Sequence, residues 1–128
     1  MIQDVSTGCG QVTNAPRAIG TAWESAVVNH LANAHGFATV ERRALHGNRD
    51  IGDLTGIPGF LIGCKNERTI RLSTYMDELQ VQKSNLVRGR DVVPFEVVKR
   101  RGKGPGRAYV VVELDEFVPV LRAMTEDD

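Results

Sequence analysis

Asp53 and Lys65 are the side chains whose types and spacing point most directly to chemistry. Both lie in RDIGDLTGIPGFLIGCKN, residues 49–66, which reads as strands Ile51–Thr55 and Phe60–Lys65 joined by the turn Gly56-Ile57-Pro58-Gly59. Side-chain alternation turns Phe60, Ile62 and Cys64 toward a core and Leu61, Gly63 and Lys65 to the opposite face, where Asp53 of the adjoining strand meets Lys65. An acid that holds a metal ion beside a lysine that meets negative charge suits phosphate chemistry.

Several elements must position this pair. Trp23, Val27, Leu31 and Ala34 form a helical stripe, so a first helix is expected over Ala22–His35, with Thr21 as N-cap, Glu24 closing a T-x-x-E capping box and Gly36 as the stop. Phe37–Arg42 reads as a first strand, followed by a polar loop in which His46 reads as a solvated residue and Asp50 as a turn acid. A second helix is expected over Ser73–Arg88, its stripe carried by Tyr75, Met76 and Leu79 and its end marked by Gly89. Its polar face, with Gln80, Lys83 and Asn85, is expected to be solvated, with Gln80 and Lys83 in reach of backbone phosphates. Val92–Arg100 and Tyr109–Leu114 read as the last strands. Pro94 suggests an edge position or a bulge in the first of them. Asp115 is expected to cap a final short helix with Pro119 in or near its first turn. Residues 1–16 read as a flexible arm, and residues 17–128 as a single domain.

An aspartate on one strand, a short turn, and an acid-x-lysine on the next strand is the pattern of the PD-(D/E)xK nuclease superfamily, which this chain resembles at Asp53 and Lys65. The segments RAIGTAWESAVVNHL, ERRALHGNRDIGDLTGIPG, CKN and VVKRRGKGPGRA, spanning roughly Arg17 to Val112, are similar in wording and order to small bacteriophage-encoded, Holliday-junction-resolvase-like members. The resemblance implies an α/β fold with a restriction-endonuclease-like αβββαβ core, a mixed central sheet flanked by helices. It implies a magnesium- or manganese-dependent DNA endonuclease, a homodimer acting on branched DNA. Carried over by position, Glu24, Asp53, Gly63 and Lys65 occupy the catalytic places, and Asp53, Glu24 and the carbonyl of Cys64 the metal-ligand places. Glu24 is then read as turning toward the metal rather than only closing a capping box.

Gly63 departs from the pattern, since the family carries Glu or Asp there. Three readings stay open: a ligand displaced to another position, a site that does not cut, or an inactivating substitution that traps a complex. Glu67 is the nearest replacement if the strand continues, and an ordinary strand-end charge if it does not.

The chain of 128 residues carries sixteen Lys and Arg against sixteen Asp and Glu, so its formal net charge is zero. Their distribution is uneven. Arg42, Arg43, His46 and Arg49 precede the hairpin, and Lys99, Arg100, Arg101, Lys103 and Arg107 crowd one later loop. Arg42, Arg43, Arg49, Arg100, Arg101, Lys103 and Arg107 are therefore the expected DNA contacts, because clustering rather than total charge makes a footprint for a polyanion. The loop RRGKGPGR lacks the G-x-x-x-x-G-K-[ST] signature, which argues against a nucleotide-binding P-loop. Cys9 and Cys64 indicate neither a disulfide framework nor metal-ligand spacing. With no membrane-length apolar run and no signal-peptide pattern, a cytoplasmic location is expected, that of a bacterial host for a phage-encoded protein. The competing function is a catalytically silent nuclease-fold scaffold that binds DNA.

Overall fold

The computed structural model of the chain describes residues 15–43, 52–86 and 91–126. Helix α1 (Ala15–His35) is followed by strands β1 (Glu41–Arg42), β2 (Leu54–Thr55) and β3 (Phe60–Lys65), helix α2 (Leu72–Ser84) and strand β4 (Val93–Val98). A 3₁₀ turn (Pro105–Arg107) then leads to β5 (Tyr109–Val111) and α3 (Leu114–Glu126). The order α-β-β-β-α-β-β-α is the one expected. Residues 1–14, with Cys9, and the expected site-flanking residues His46, Arg49 and Asp50 lie outside the described residues, as do Arg88 and Gly89 at the expected end of the second helix.

The five strands form one mixed sheet in the order β1-β2-β3-β4-β5. β3 and β4 run parallel and the other neighbours antiparallel. The parallel pair requires a crossover, and α2 supplies it. Expecting one core face on β3 falls short. Ile62 and Cys64 pack with Trp23, Val27, Val40, Leu54 and Val97 on the α1 side. Leu61 and Val98, on the other side, are as deeply buried as Tyr75 and Leu79 of α2. A strand inside a parallel pair with helices on both faces buries both sets of side chains. Each such large apolar side chain contributes about 1.5–3 kcal/mol by leaving water. Trp23 also donates its indole N–H to the Val97 carbonyl at 3.2 Å, fixing α1 to the centre of the sheet.

Several boundaries differ from expectation for identifiable reasons. α1 begins at Ala15, not Ala22, so Thr21 is a mid-helix residue and the capping box is not formed. Pro16 falls in the first turn, where its missing N–H costs nothing. β1 and β2 are two-residue strands and β5 three, although single backbone bonds from Arg43 to Asp53 and from Asp53 to Ile62 continue beyond the first two. Pro94 sits in the interior β4 rather than at an edge. Val93 donates to Gly59 on the β3 side, so position 94 faces β5, whose register reaches only Glu96, and no ladder bond is lost there. Asp115 lies inside α3 rather than capping it, and Pro119 falls in the second turn. The polar face of α2 is not simply solvated. Lys83 Nζ binds both oxygens of Glu116 at 2.8 and 2.9 Å, and Gln80 donates to Glu113 and Glu116, so this face docks α3 instead of reaching for phosphates. At the hairpin turn, Gly56 has φ +101°, and a Cβ there would run into the Thr39 carbonyl. Only glycine lets the β2–β3 turn lie against the chain leading into β1.

Candidate active site

A cleft of about 460 Å³ opens where the C-terminal end of β3 meets the first half of α1. Ile19, Gly20 and Glu24 of α1, Asp53 beside β2, Cys64 and Lys65 of β3, and Asn66, Glu67 and Arg68 beyond it line its walls. The chain thus brings Glu24, Asp53 and Lys65 together from three separate elements. Gly20 and Glu24 are one helical turn apart, so they share a face of α1. A Cβ on Gly20 would meet nothing within 4 Å.

Asp53 is held by the backbone. Its N–H donates to the Ile62 carbonyl at 3.0 Å, and its Oδ2 accepts the Cys64 N–H at 2.7 Å. The carboxylate therefore lies against the strand that carries Lys65. Glu24 is engaged by Arg42, whose Nε donates to Oε1 at 3.2 Å. Arg42, expected among the DNA contacts, is thus tied to an acid of the cleft. Lys65 Nζ donates to Glu78 at 2.8 Å and stands 5.2 Å from the centre of the Tyr75 ring. Burial works to lower the Lys65 pKa, but the hydrogen bond and charge of Glu78, aided by Glu96 and Glu67, outweigh it and raise it. The lysine therefore stays an ammonium and is excluded as a base. Burial, with the charges of Asp53, Glu24 and Glu96 adding to it, pushes the Cys64 thiol far up, so it is neither nucleophile nor thiolate ligand. Only its carbonyl is available as a donor.

Glu67 does not extend the strand face, because β3 ends at Lys65. Its carboxylate instead accepts the Tyr75 hydroxyl at 2.8 Å and Arg71 at 3.0 Å. Those contacts, the Tyr75 bond first, hold its pKa below the usual glutamate value. Its place is a strap between the β3 end and α2.

Glu96 was not among the residues expected to serve the site. It faces Gly63 across the parallel β3–β4 register. It is 1% exposed, and its Oε1 has no hydrogen-bond partner among the described residues. A Cβ on Gly63 would stand 2.6 and 2.7 Å from its two carboxylate oxygens. The carboxylate thus lies where the first atoms of a side chain at position 63 would be. Burial pushes its pKa up to about 8; Lys65 opposes the rise, while Asp53, Glu78 and Glu67 add to it. One sequence signal could have found it: Glu96 is the single acid in the apolar run VVPFEVV.

The basic residues divide into two groups. Lys99, Arg101 and Arg68 line a second groove that shares Ile19, Asn66, Glu67 and Arg68 with the cleft. Arg68 was not expected there. Arg100 lies over the Tyr109 ring at 5.0 Å, and Arg43 has a buried Nε without a partner. Lys103 and Arg107 are exposed, in the part of the loop where Pro105 and Gly106 line a separate apolar hollow beside His30. Among the described residues no group of three or more His, Cys, Asp or Glu is placed to hold a metal ion, and no helix is long and apolar enough to cross a membrane.

Comparison with protein-family models, with curated proteins and with solved structures finds no match to this chain.

Proposed function

We propose that this chain is a metal-dependent DNA endonuclease of the PD-(D/E)xK type, similar to phage-encoded Holliday-junction resolvases and acting as a homodimer on branched DNA. The observation that carries this reading is the convergence of Glu24, Asp53 and Lys65 on one cleft at the end of β3. The order α1-β1-β2-β3-α2-β4 supports a restriction-endonuclease-like αβββαβ core, to which β5 and α3 are additions.

The donors present fit a hard cation. Asp53, Glu24 and the Cys64 carbonyl offer oxygen, Glu96 with its Oε1 unpartnered among the described residues faces Gly63, the residue before Cys64, and magnesium needs few protein ligands because it keeps waters. When bound, such an ion polarises the phosphate and lowers the pKa of an attached water. The chain's own part is positional and electrostatic. Lys65, kept cationic by Glu78, meets charge that develops on the phosphate oxygens. Arg68, Lys99 and Arg101 hold the flanking backbone beside the cleft.

A second reading, a nuclease-fold scaffold that binds DNA without cutting it, is favoured by the lack of a ready group of three metal-binding side chains among the described residues. Incubation with a four-way junction and magnesium or manganese separates the two. Nicking is expected, abolished by chelation and reduced roughly 100-fold or more in Asp53→Asn and Lys65→Ala. Salt-dependent binding with no nicking of junction, duplex or single strand would establish the scaffold instead.

A further inference from the structure

We propose that Glu96 is the displaced carboxylate of this site: reaching over Gly63 from β4, it completes with Asp53 a binding site for one divalent cation of the magnesium class. The inference rests on reading the Asp53–Lys65 cleft as the nuclease site, but the ion's binding is measurable without DNA.

The residues meet at β3. Asp53 Oδ2 accepts the Cys64 N–H at 2.7 Å, so its carboxylate lies beside the peptide that follows Gly63. Gly63 pairs with Glu96 on β4, and paired residues on neighbouring strands project to the same face about 5 Å apart. A glutamate on β4 therefore needs only an empty position on β3 to bring its carboxylate toward the peptide that Asp53 holds. Gly63 is that empty position. The Glu96 oxygens, 2.6 and 2.7 Å from a Cβ at residue 63, exclude any side chain there while Glu96 keeps this conformation. The glycine and the glutamate form a matched pair, one carboxylate moved from β3 to β4.

Burial makes this more than a cluster of acids. Glu96 is 1% exposed with Oε1 unpartnered among the described residues, and the nearby cation Lys65 is hydrogen-bonded to Glu78. Asp53, Glu78 and Glu67 add like charge around it. A carboxylate built into a core normally has its oxygens satisfied, and a bound cation supplies what is lacking here. Two carboxylates, one backbone carbonyl and water suffice for magnesium, whereas a three-carboxylate cage is not required.

The test is Mn2+ binding by the full chain, read from the loss of the free-ion electron paramagnetic resonance signal, with folding checked by circular dichroism. The wild type should bind, and Glu96→Gln, which keeps the shape of the side chain, should weaken binding at least tenfold, as should Asp53→Asn. Gly63→Ala should weaken it too, by pushing the carboxylate aside. The decisive variant moves the acid back: Gly63→Glu combined with Glu96→Ala should recover binding to within a few-fold of wild type, which a merely structural role for Glu96 does not predict. Wild-type affinity in Glu96→Gln alongside loss in Asp53→Asn would overturn the role of Glu96 and leave the nuclease reading standing. Absence of wild-type binding at millimolar Mn2+ would overturn the cation site itself. Binding that follows the pattern above, without cleavage of any DNA, would support the cation site and remove the nuclease reading.

Discussion

Glu96 carries the sharpest consequence for a single residue, because its raised pKa links stability to pH with an unusual sign. In the unfolded chain a glutamate loses its proton near 4.5, whereas in the folded protein Glu96 holds it to about 8. Between those values the folded state binds the extra proton, so stability falls as pH rises and levels off above about pH 8. The slope from this group is at most about 1.4 kcal/mol per pH unit. Urea unfolding in chelator at pH 5, 6, 7 and 8 should show the decline in the wild type and a flatter profile in Glu96→Gln. A wild-type profile that rises over this window would show that Glu96 ionises freely in the fold. The same residue explains a limit of reading sequence. A pattern search looks for an acid two positions before Lys65 and finds Gly63. The replacement we propose, Glu96, sits thirty-three positions further on, brought opposite Gly63 by a parallel register that no periodicity reveals. Asp53 and Lys65 were legible because one hairpin, with its own turn glycines, places both.

Among the elements, α1 shows a local signal overruled by its surroundings. Thr21-x-x-Glu24 has the form of a capping box, yet the helix runs through it from Ala15, since the earlier residues continue the helix and Glu24 is drawn to Arg42 instead. The element and its buried face, with Trp23 and Val27, were legible from the apolar stripe; its start was not. The longer helix carries a glycine inside it, at a cost of about 0.5–1 kcal/mol relative to alanine. Gly20 faces the cleft with open space where a Cβ would stand, so steric need does not explain it. Gly20→Ala should therefore raise unfolding free energy by about 0.5–1 kcal/mol in urea titration. Loss of stability would mean that the helix bends or approaches another group at this point. If the cleft admits DNA, the same variant should also slow cleavage, because the added methyl narrows the cleft that Gly20 lines.

At the scale of the whole molecule, the net charge of zero removes any general attraction to a polyanion, and binding must come from where the cations stand. The bunching of Lys99, Arg100, Arg101, Lys103 and Arg107 was legible; the division among them was not, because it depends on which wall each side chain lines. Lys99 and Arg101 join Arg68 in a groove continuous with the cleft through four shared residues. Arg100 is over Tyr109, while Lys103 and Arg107 stand in the part of the loop that leads to the apolar hollow. A DNA strand whose phosphate enters the Asp53–Lys65 cleft therefore runs past Arg68, Lys99 and Arg101. Each phosphate contact adds about 0.9 to the magnitude of the slope of log affinity against log salt on duplex DNA. Arg68→Ala with Arg101→Ala should flatten that slope by about 2. Lys103→Ala with Arg107→Ala should change it by less than half as much. Junction binding measured from 50 to 200 mM salt distinguishes the two pairs. Equal flattening by both would spread the footprint over the entire loop, and flattening by the second pair alone would place the DNA across the hollow beside His30, away from the candidate acids.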